Sequence, residues 1–490
     1  MLWVLVTWAL GVTCLDPTGG DDRIRLPAGT VPPMSDGCPA TPIPFASCLE
    51  PGGYAFGVEP PAYRTAAPAL PPGKRSDWDY LEAGTYGVSL PAGDGSNIAW
   101  YLGRDTALHT RIGLGVTADY RSWTKVAVSP DSTAANVVIA PTTSCDGGGF
   151  LGGFGITRLP GGGFAALVSA QAARPAHRRD FFDWCLRTSP DAVHWSLEPA
   201  SPVYRLGGSG APDDYITEVR GLTAVAGGYL TLAQVVRKRD APLRRLELYF
   251  SPNLVTWYRA GMLSGAQRAD SQDHGAAFLT VPDYAEPLLV WERFDSHTTA
   301  TTLYFGRMIT TDSDVTADLF PQPALEPSAA GQWDSGQLFA WSQQLVVAGG
   351  NWRMVYGGGA GTYNTAVRPR GAGYVDWIAE QMGYVNAPAA DTVTVVTRPF
   401  RWGGRTPELP SDLVIQTTTG GNATLKVWCL ADTTTFSASL SAGAGTLAVD
   451  SATVRGLQIC SQPPFGQLRV TLPAGGRLYG WRQGVSSAGP

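Results

Sequence analysis

The sequence predicts an all-β protein in which a five-bladed β-propeller is followed by a C-terminal β-sandwich. The chain holds 59 glycines and 38 prolines among 490 residues, and long helices tolerate neither residue well. Short β-rich runs such as TYGVSL, GFAALVSA and LELYF alternate with Gly, Pro and Asp turns, which is typical of antiparallel sheets. In addition, one turn motif recurs along the chain at the interval expected of propeller blades.

This turn motif occurs three times with identical internal spacing. It reads TADYRSW at 117–123, SPDAVHW at 189–195 and SPNLVTW at 251–257, so the tryptophans step by 72 and then 62 residues. The Asp or Asn is expected to bond nearby backbone amides and close a tight turn. The Trp is expected to open the next strand and pack between sheets, which makes these residues scaffold and not catalyst.

Changes in composition and hydrophobic pattern divide the chain into five segments. They are a signal peptide at 1–16, a Pro- and Gly-rich segment at 17–78, the propeller at 79–382, the sandwich at 383–484 and a tail at 485–490. Two units without the Trp turn complete the five blades of about 60 residues each. The alternating strands after 383 fit two packed sheets.

The apolar run LWVLVTWALGV at 2–12 is too short to span a bilayer core of ~30 Å. It fits the apolar region of a secretory signal peptide, and the alternative is a short buried N-terminal strand. We therefore expect a secreted, extracellular protein without a membrane span.

Six cysteines remain after the predicted signal, and in an oxidising compartment disulfides are expected. Sequence order suggests three local pairs: Cys38–Cys48, Cys145–Cys185 and Cys429–Cys460. Buried free thiols are the alternative. The sequon at Asn422 predicts a surface position that is open to glycosylation.

The charge pattern excludes several partners. The net charge is −5 and no basic tract occurs, which argues against a nucleic-acid surface. No CxxC motif, no histidine pair at helical spacing and no phosphate-binding loop with its lysine is present. The sequence thus predicts no metal and no cofactor.

The five units and the segment after them resemble the superfamily of glycoside hydrolase families 32 and 43. TRPF at 397–400, GG at 420–421 followed by LKVWCL, and RLYG at 477–480 are similar to the sandwich module of family 32-like proteins. The resemblance implies a carbohydrate ligand of fructan or hemicellulose type. The N-D-P-N-G, R-D-P and E-C catalytic motifs of family 32 are absent.

In such a propeller, polar residues just ahead of each innermost strand converge on a central channel. The candidates for catalytic carboxylates in this chain are Asp146, Asp214, Glu218, Asp273 and Asp334, with Glu82 in the equivalent stretch of the first blade. Glycoside hydrolysis needs one protonated and one ionised carboxyl group. The alternative is that these residues only close turns. If the protein is a hydrolase, Asp334 is expected to be essential.

Three further residues are candidates for substrate binding. Trp333, next to Asp334, and Trp352 offer apolar faces to a sugar ring, and His274 offers an imidazole to a channel ion or a carboxylate. Packing within a blade is the alternative for both tryptophans, and an ordinary polar contact is the alternative for His274.

Two functions therefore remain open. The first is an extracellular glycosidase that acts through paired carboxylates in the propeller channel. The second is a non-catalytic secreted protein, which binds glycans or forms a surface component, and which keeps the propeller without the acid/base pair.

Overall fold

The computed structural model describes residues 43–128, 135–141, 145–147, 151–171, 182–204, 214–225, 227–237, 244–263, 271–282, 284, 287–310, 315–361, 369–401, 412–429, 432–448 and 465–484. These residues are almost entirely strands and turns, with one 3-10 turn at Ala46–Cys48. Across the described ranges, no helix has the length and apolar character needed to cross a membrane.

The segment before the propeller contributes two strands to the fold. β1 is Ala55–Val58 and β2 is Tyr63–Arg64. β1 pairs with a strand of the C-terminal region and β2 with the last strand of the propeller. The Pro- and Gly-rich segment is therefore part of both sheet systems from residue 55 onward.

Five antiparallel blades follow in chain order. Blade one contains β3 Glu82–Pro91, β4 Asn97–Arg104, β5 Thr110–Thr117, β6 Thr124–Lys125 and β7 Val137–Ile139. Blade two contains β8 Leu151–Arg158, β9 Phe164–Gln171, β10 Phe182–Ser189 and β11 Ser196–Leu197. Blade three contains β12 Asp214–Val225, β13 Gly228–Arg237, β14 Arg244–Ser251 and β15 Tyr258–Met262.

The last two blades differ in the lengths of their strands. Blade four contains β16 Ser271–Thr280, β17 Leu288–Asp295, β18 Ala300–Thr310 and β19 Val315–Leu325. Blade five contains β20 Gln337–Ala340, β21 Ser342–Gln344, β22 Val346–Ala348, β23 Asn351–Gly359 and β24 Arg370–Ile378, with β2 as its outermost strand.

The inner strands of the five blades form a closed ring. β3, β8, β12, β16 and β20 each lie against the next strand of this series, and β20 lies against β3. β21 completes the closure, because it pairs in parallel with β16 on one side and with β3 on the other. This arrangement confirms the predicted five-bladed propeller.

The recurring turn motif has the predicted structure in all three places. The side-chain oxygens of Asp191 and Asn253 each accept hydrogen bonds from two backbone amides two and three residues later, at 2.8–3.0 Å. The indole of each motif donates to the backbone oxygen three residues before it, in Trp123, Trp195 and Trp257. Trp257 is buried and the other two are half-buried.

Each motif tryptophan also packs edge-on against a tryptophan of the preceding blade in the ring. The ring pairs are Trp195 with Trp100 at 6.3 Å, Trp257 with Trp184 at 5.8 Å and Trp123 with Trp341 at 5.7 Å between ring centroids. The repeated turn therefore serves as a spacer between blades, which explains why its spacing is strict.

The C-terminal region forms two further sheets. Its strands are β25 Gly383–Asn386, β26 Val393–Val396, β27 Phe400–Arg401, β28 Asp412–Thr417, β29 Gly421–Cys429, β30 Asp432–Leu440, β31 Gly443–Ala448, β32 Phe465–Leu472 and β33 Arg477–Gly484. One sheet has the order β1-β25-β33-β28-β31 and the other β26-β32-β29-β30, with β27 beside β32. One apolar core runs from blades four and five into both sheets.

One predicted disulfide is confirmed. Cys145 and Cys185 are bonded, with their Cα atoms 6.0 Å apart, and closing a loop of this size is worth ~4 kcal/mol in the chain-entropy model. Cys48 is buried, but its predicted partner Cys38 lies outside the described residues, as do Cys460 and the predicted signal peptide at 1–16. Asn422 is exposed on β29, as the sequon requires.

Candidate functional site

Asp334 is held inside blade five by an ion pair and a phenol. Its Oδ2 accepts hydrogen bonds from Arg64 Nη2 at 2.6 Å, from Arg64 Nε at 2.9 Å and from the Tyr356 hydroxyl at 2.6 Å. Tyr356 is on β23 and Arg64 is on the outermost strand β2, so the carboxylate faces its own blade. Trp333 stacks on Tyr356 at 5.7 Å between ring centroids.

Blade one repeats this arrangement with different residues. Asp79 accepts hydrogen bonds from the Tyr101 hydroxyl at 2.9 Å and from Lys125 Nζ at 2.6 Å. Trp78 stacks on Tyr101 at 5.6 Å between ring centroids. We call each set of Trp, Asp, second-strand Tyr and outer-strand cation a blade clamp.

Two glycines make room for the indoles of the blade clamps. A Cβ atom at Gly103 would lie 2.2 Å from Trp78, and one at Gly358 would lie 2.6 Å from Trp333. Real side chains do not approach so closely, so the rings lie flat on strand backbone. The clamps thus fix the segment before each inner strand to the face of its blade, which favours a structural role for Asp334 and Trp333.

The other predicted carboxylates also have partners within their own blades. Asp146 pairs with Arg187, and Glu82 lies 3.4 Å from Arg104 Nη2. Asp273 accepts a hydrogen bond from the indole nitrogen of Trp291 at 2.9 Å and lies 3.6 Å from Arg293 Nε. Burial raises the pKa of Asp273.

Asp214 and Trp352 are two further predicted site residues, in blades three and five. Asp214 begins β12, and its side chain lies outside the described part of the structure. Trp352 is only 3 % exposed and packs edge-on against Tyr284 in the largest apolar core. The expectation of a sugar platform at Trp352 is therefore replaced by the packing alternative, because neither ring face is open.

Glu218 and His274, by contrast, lie in a group of side chains from four blades that meet at the propeller axis. We call this group the axial cluster; its members are Tyr86, Glu218, Arg220, Arg244, His274, Glu292, Phe339 and Arg370. Arg220 is central to it. Its guanidinium carbon lies 3.8 Å from the centroid of the Tyr86 ring, and its Nη2 donates to Glu218 Oε2 at 2.9 Å.

The contact between Arg220 and Tyr86 places the cluster on the axis. Arg220 belongs to blade three and Tyr86 to blade one, and these blades are not neighbours in the ring. Side chains of such blades can meet only across the centre. Just beyond Arg220 the centre is closed, because the Ser342 hydroxyl of blade five donates to the Arg220 carbonyl and accepts from the amide of Phe278.

Irregularities in the inner strands aim these side chains at the axis. Pairing in β12 skips Arg220, pairing in β16 skips His274, and pairing in β3 skips the residues from Gly84 to Tyr86. Such β-bulges turn a side chain away from the regular strand direction and are frequent beside functional sites. Three of the five inner strands thus carry a bulge at a member of the axial cluster.

Glu292 and His274 form the buried floor of the cluster. Glu292 is 1 % exposed, its Oε1 accepts from the amide of Ala340 at 2.7 Å, and its Oε2 lies 3.6 Å from His274 Nδ1. Burial raises the pKa of Glu292, and the charge of Glu218 raises it further against the opposing effect of Arg220.

His274 Nε2 lies 2.6 Å from Arg244 Nη1. Burial, followed by the charges of Arg244, Arg220 and Arg370, holds the pKa of His274 well below its usual range.

The axial cluster can therefore bind ligands by charge, by hydrogen bonding and by stacking. Arg220, Glu292, Arg244 and Arg370 were not predicted from the sequence. A usable signal exists, because Arg220 in ITEVRGL and Glu292 in LLVWERF are charged residues inside otherwise apolar strands. In the described part of the chain, no group of three or more His, Cys, Asp or Glu side chains could hold a metal ion.

Comparison with known proteins finds likeness only among solved structures. No family model matches the sequence, and no curated protein matches it. An exo-inulinase from Aspergillus awamori is 10% identical, with a TM-score of 0.41, over 88% of this chain and 99% of its own. A family 32 β-fructofuranosidase from Bombyx mori is 9% identical, with a TM-score of 0.39, over 90% and 96%.

A third similar structure is the sucrose-6-phosphate hydrolase of Lactobacillus gasseri. It is 10% identical, with a TM-score of 0.42, over 83% of this chain and 93% of its own. Of the three, the Bombyx mori protein is a member of glycoside hydrolase family 32. Because the likenesses are this distant, the fold and the site rest on the contacts of the chain itself.

Proposed function

We propose that this protein is an extracellular, carbohydrate-binding member of the hydrolase-like propeller proteins, and that it binds its glycan at the axial cluster. The observation that supports this most directly is that side chains from four blades meet there, with three of them aimed by β-bulges. Sugars bind to sites that combine aromatic faces with charged hydrogen-bonding groups. Secretion is supported by the disulfide Cys145–Cys185, since disulfides persist in oxidising compartments.

Binding without hydrolysis is favoured by the state of the carboxylates. Asp334 is occupied by Arg64 and Tyr356 in a blade clamp. Glu218 is paired with Arg220. A carboxylate with a cationic partner is a poor proton donor, because the partner stabilises its ionised form.

The experiment is a glycan microarray followed by calorimetric titration of the best ligand. Tyr86→Ala removes the ring under Arg220 and should weaken binding by ~10-fold or more, because a cation–π contact of a desolvated arginine is worth up to ~2 kcal/mol. Tyr63→Ala is the matched control, because Tyr63 is 49 % exposed on the outermost strand of blade five. Equal affinities of the two variants would place the ligand elsewhere.

One observation favours hydrolysis as a second candidate. Glu292 has a raised pKa and Glu218 acts on it electrostatically, which are properties of a proton donor and its ionised partner. Release of reducing sugar by the wild-type protein, lost by ~10²–10⁴-fold in Glu292→Gln, would establish this candidate and replace the non-catalytic one. Absence of product from every bound glycan would leave binding alone.

A further inference from the structure

The charges of the axial cluster point to a particular class of carbohydrate. Among its described members are three guanidinium groups, those of Arg220, Arg244 and Arg370, and two carboxylates, those of Glu218 and Glu292. Burial keeps the remaining titratable member, His274, neutral. The described members therefore carry more positive than negative charge, whereas a site for a neutral sugar with two catalytic carboxylates is expected to be acidic.

All three arginines lie close enough to His274 to lower its pKa through their charges, and Arg244 contacts the imidazole directly. Arg244 begins β14 and Arg370 begins β24, so they approach from blades three and five on the two sides of blade four. Like charges brought together at low dielectric repel strongly unless an anion offsets them.

Arg220 retains unused hydrogen-bonding capacity. It is nine-tenths or more buried, and its Nε and Nη1 atoms have no hydrogen-bond partner within the described part of the chain. A buried guanidinium atom without a partner costs free energy. Nη2 is already committed to Glu218 and Gln234, so an oxyanion would be held through Nε and Nη1.

The side of the cluster that faces solvent is formed by residues of intermediate exposure. Glu218 is 21 % exposed, and Tyr86, Arg244 and Arg370 are also partly exposed. Arg370 lies over the Phe339 ring at 5.4 Å from its centroid, and Phe339 in turn packs edge-on against Tyr86. Aromatic faces and guanidinium groups thus stand side by side, as recognition of a charged sugar requires.

We propose that the axial cluster binds an anionic sugar residue, a uronate or a sulfated sugar, whose oxyanion is held by Arg220, Arg244 and Arg370. This inference rests on the proposed glycan binding at the same cluster and specifies its ligand. Guanidinium groups suit both oxyanions, because a carboxylate and a sulfate ester each present a pair of oxygens to the fork of N–H donors.

The test is calorimetric titration of the full-length protein with three probes. They are oligogalacturonate, the same oligosaccharide with its carboxyl groups reduced to alcohols, and a sulfated carrageenan oligosaccharide that contains no uronate. We expect binding of at least one acidic probe, weakening as salt rises, and at least tenfold weaker binding of the reduced probe. The two acidic probes separate carboxylate from sulfate recognition.

Arg244→Gln and Arg370→Gln should each weaken binding of the acidic probe by ~10–100-fold, because a hydrogen bond to a charged group is worth ~1.5–3 kcal/mol. Arg111→Gln is the matched control. It removes the same charge from an arginine that pairs with Asp105 on the turn before β5, outside the axial cluster, and should bind as the wild type does.

The outcomes separate the two proposals. If the reduced probe binds as tightly as the acidic one, or if neither cluster variant weakens binding, the anionic ligand is overturned while glycan binding stands. If no acidic probe binds but neutral glycans on the array do, the anionic ligand is likewise overturned while glycan binding stands. If no glycan of any class binds, both proposals fail.

Discussion

Asp334 and Glu292 are both 1 % exposed carboxylates in adjacent blades, yet their surroundings differ in kind. The partners of Asp334 come from its own blade and include a cation on the outermost strand. The surroundings of Glu292 come from other blades as well, with Ala340 of blade five and Arg220 of blade three acting on it. Burial alone therefore does not distinguish the two carboxylates. What distinguishes Glu292 is that groups of both adjoining blades act on it, whereas Asp334 is held by its own blade.

The blade clamp occurs in two blades, whereas the axial cluster occurs once among the described residues. Asp79 and Asp334 occupy equivalent places in blades one and five, each with a stacked Trp and Tyr and an outer cation. An arrangement that recurs within two separate blades serves the blades, since a ligand site on the axis needs different groups from different blades. The axial cluster shows no such repetition.

The largest expected effect is the contribution of Asp334 to the stability of the fold. Asp334→Asn should lower the free energy of unfolding by ~3 kcal/mol, because it leaves the Arg64 charge uncompensated in a partly buried site. Urea denaturation followed by tryptophan fluorescence measures the change. The matched control is Asp391→Asn, since Asp391 is exposed, and it should unfold within ~0.5 kcal/mol of the wild type. Glycan affinity of folded Asp334→Asn should be unchanged, and a selective loss of affinity would return Asp334 to the site.

A pair of smaller changes asks whether the two clamps are equivalent. Tyr101→Phe and Tyr356→Phe each remove a hydroxyl that donates to a buried carboxylate, and each should cost ~1–2 kcal/mol in the same denaturation assay. Each hydroxyl also accepts a second hydrogen bond, from Asn136 Nδ2 at 2.6 Å in Tyr101 and from Arg64 Nε at 3.2 Å in Tyr356. Tyr101→Phe should cost slightly more, because its second hydrogen bond is the shorter one. If only one of the two variants lost stability, the two clamps would be similar in geometry but would not contribute equally to the free energy of unfolding.

The last expected effect is the pH dependence of stability that His274 of the axial cluster contributes. The folded protein holds the pKa of His274 well below its ordinary value, so unfolding at acidic pH takes up a proton that the folded state excludes. Stability should therefore fall as the pH drops below ~6.5, by at most ~1.4 kcal/mol per pH unit. Glu292, with its raised pKa, acts in the opposite sense, because its stabilising effect is lost as the pH rises.

The comparison of wild type with His274→Gln isolates the histidine contribution from the other titrating groups. The variant should lose the part of the slope between pH 6.5 and 5 that His274 supplies. Parallel stability curves for the two proteins over that range would contradict the inferred neutrality of His274.

The sequence predicted the features that depend on local geometry. The Asp or Asn of each recurring turn bonds amides two or three residues away, so the motif could be read from spacing alone. The disulfide Cys145–Cys185 joins cysteines 40 residues apart in the region of blade two and was also predicted. Neither contact depends on how the blades close into a ring.

The axial cluster depends instead on contacts between distant parts of the chain. Tyr86 meets Arg220 only because five blades close around the axis, and the bulge at Arg220 appears only in the pairing of β12 with β13. The ion pair of Asp334 could not be predicted for the same reason, because its partner Arg64 lies 270 residues earlier. Proximity to an inner strand is visible in sequence, but the direction in which the side chain points is not.

The pairing of β2 with β24 also has a consequence during synthesis of the chain. Tyr63 emerges from the ribosome about 310 residues before its partner Asp376, which at ~5–20 residues per second is a wait of roughly 15–60 s. Over that interval the opening strands have no completed sheet to join, and an unpaired strand edge invites association with other chains. Blade five is thus finished by a segment made long before the rest of the blade, and that segment must be kept from pairing elsewhere until the last blade has been made.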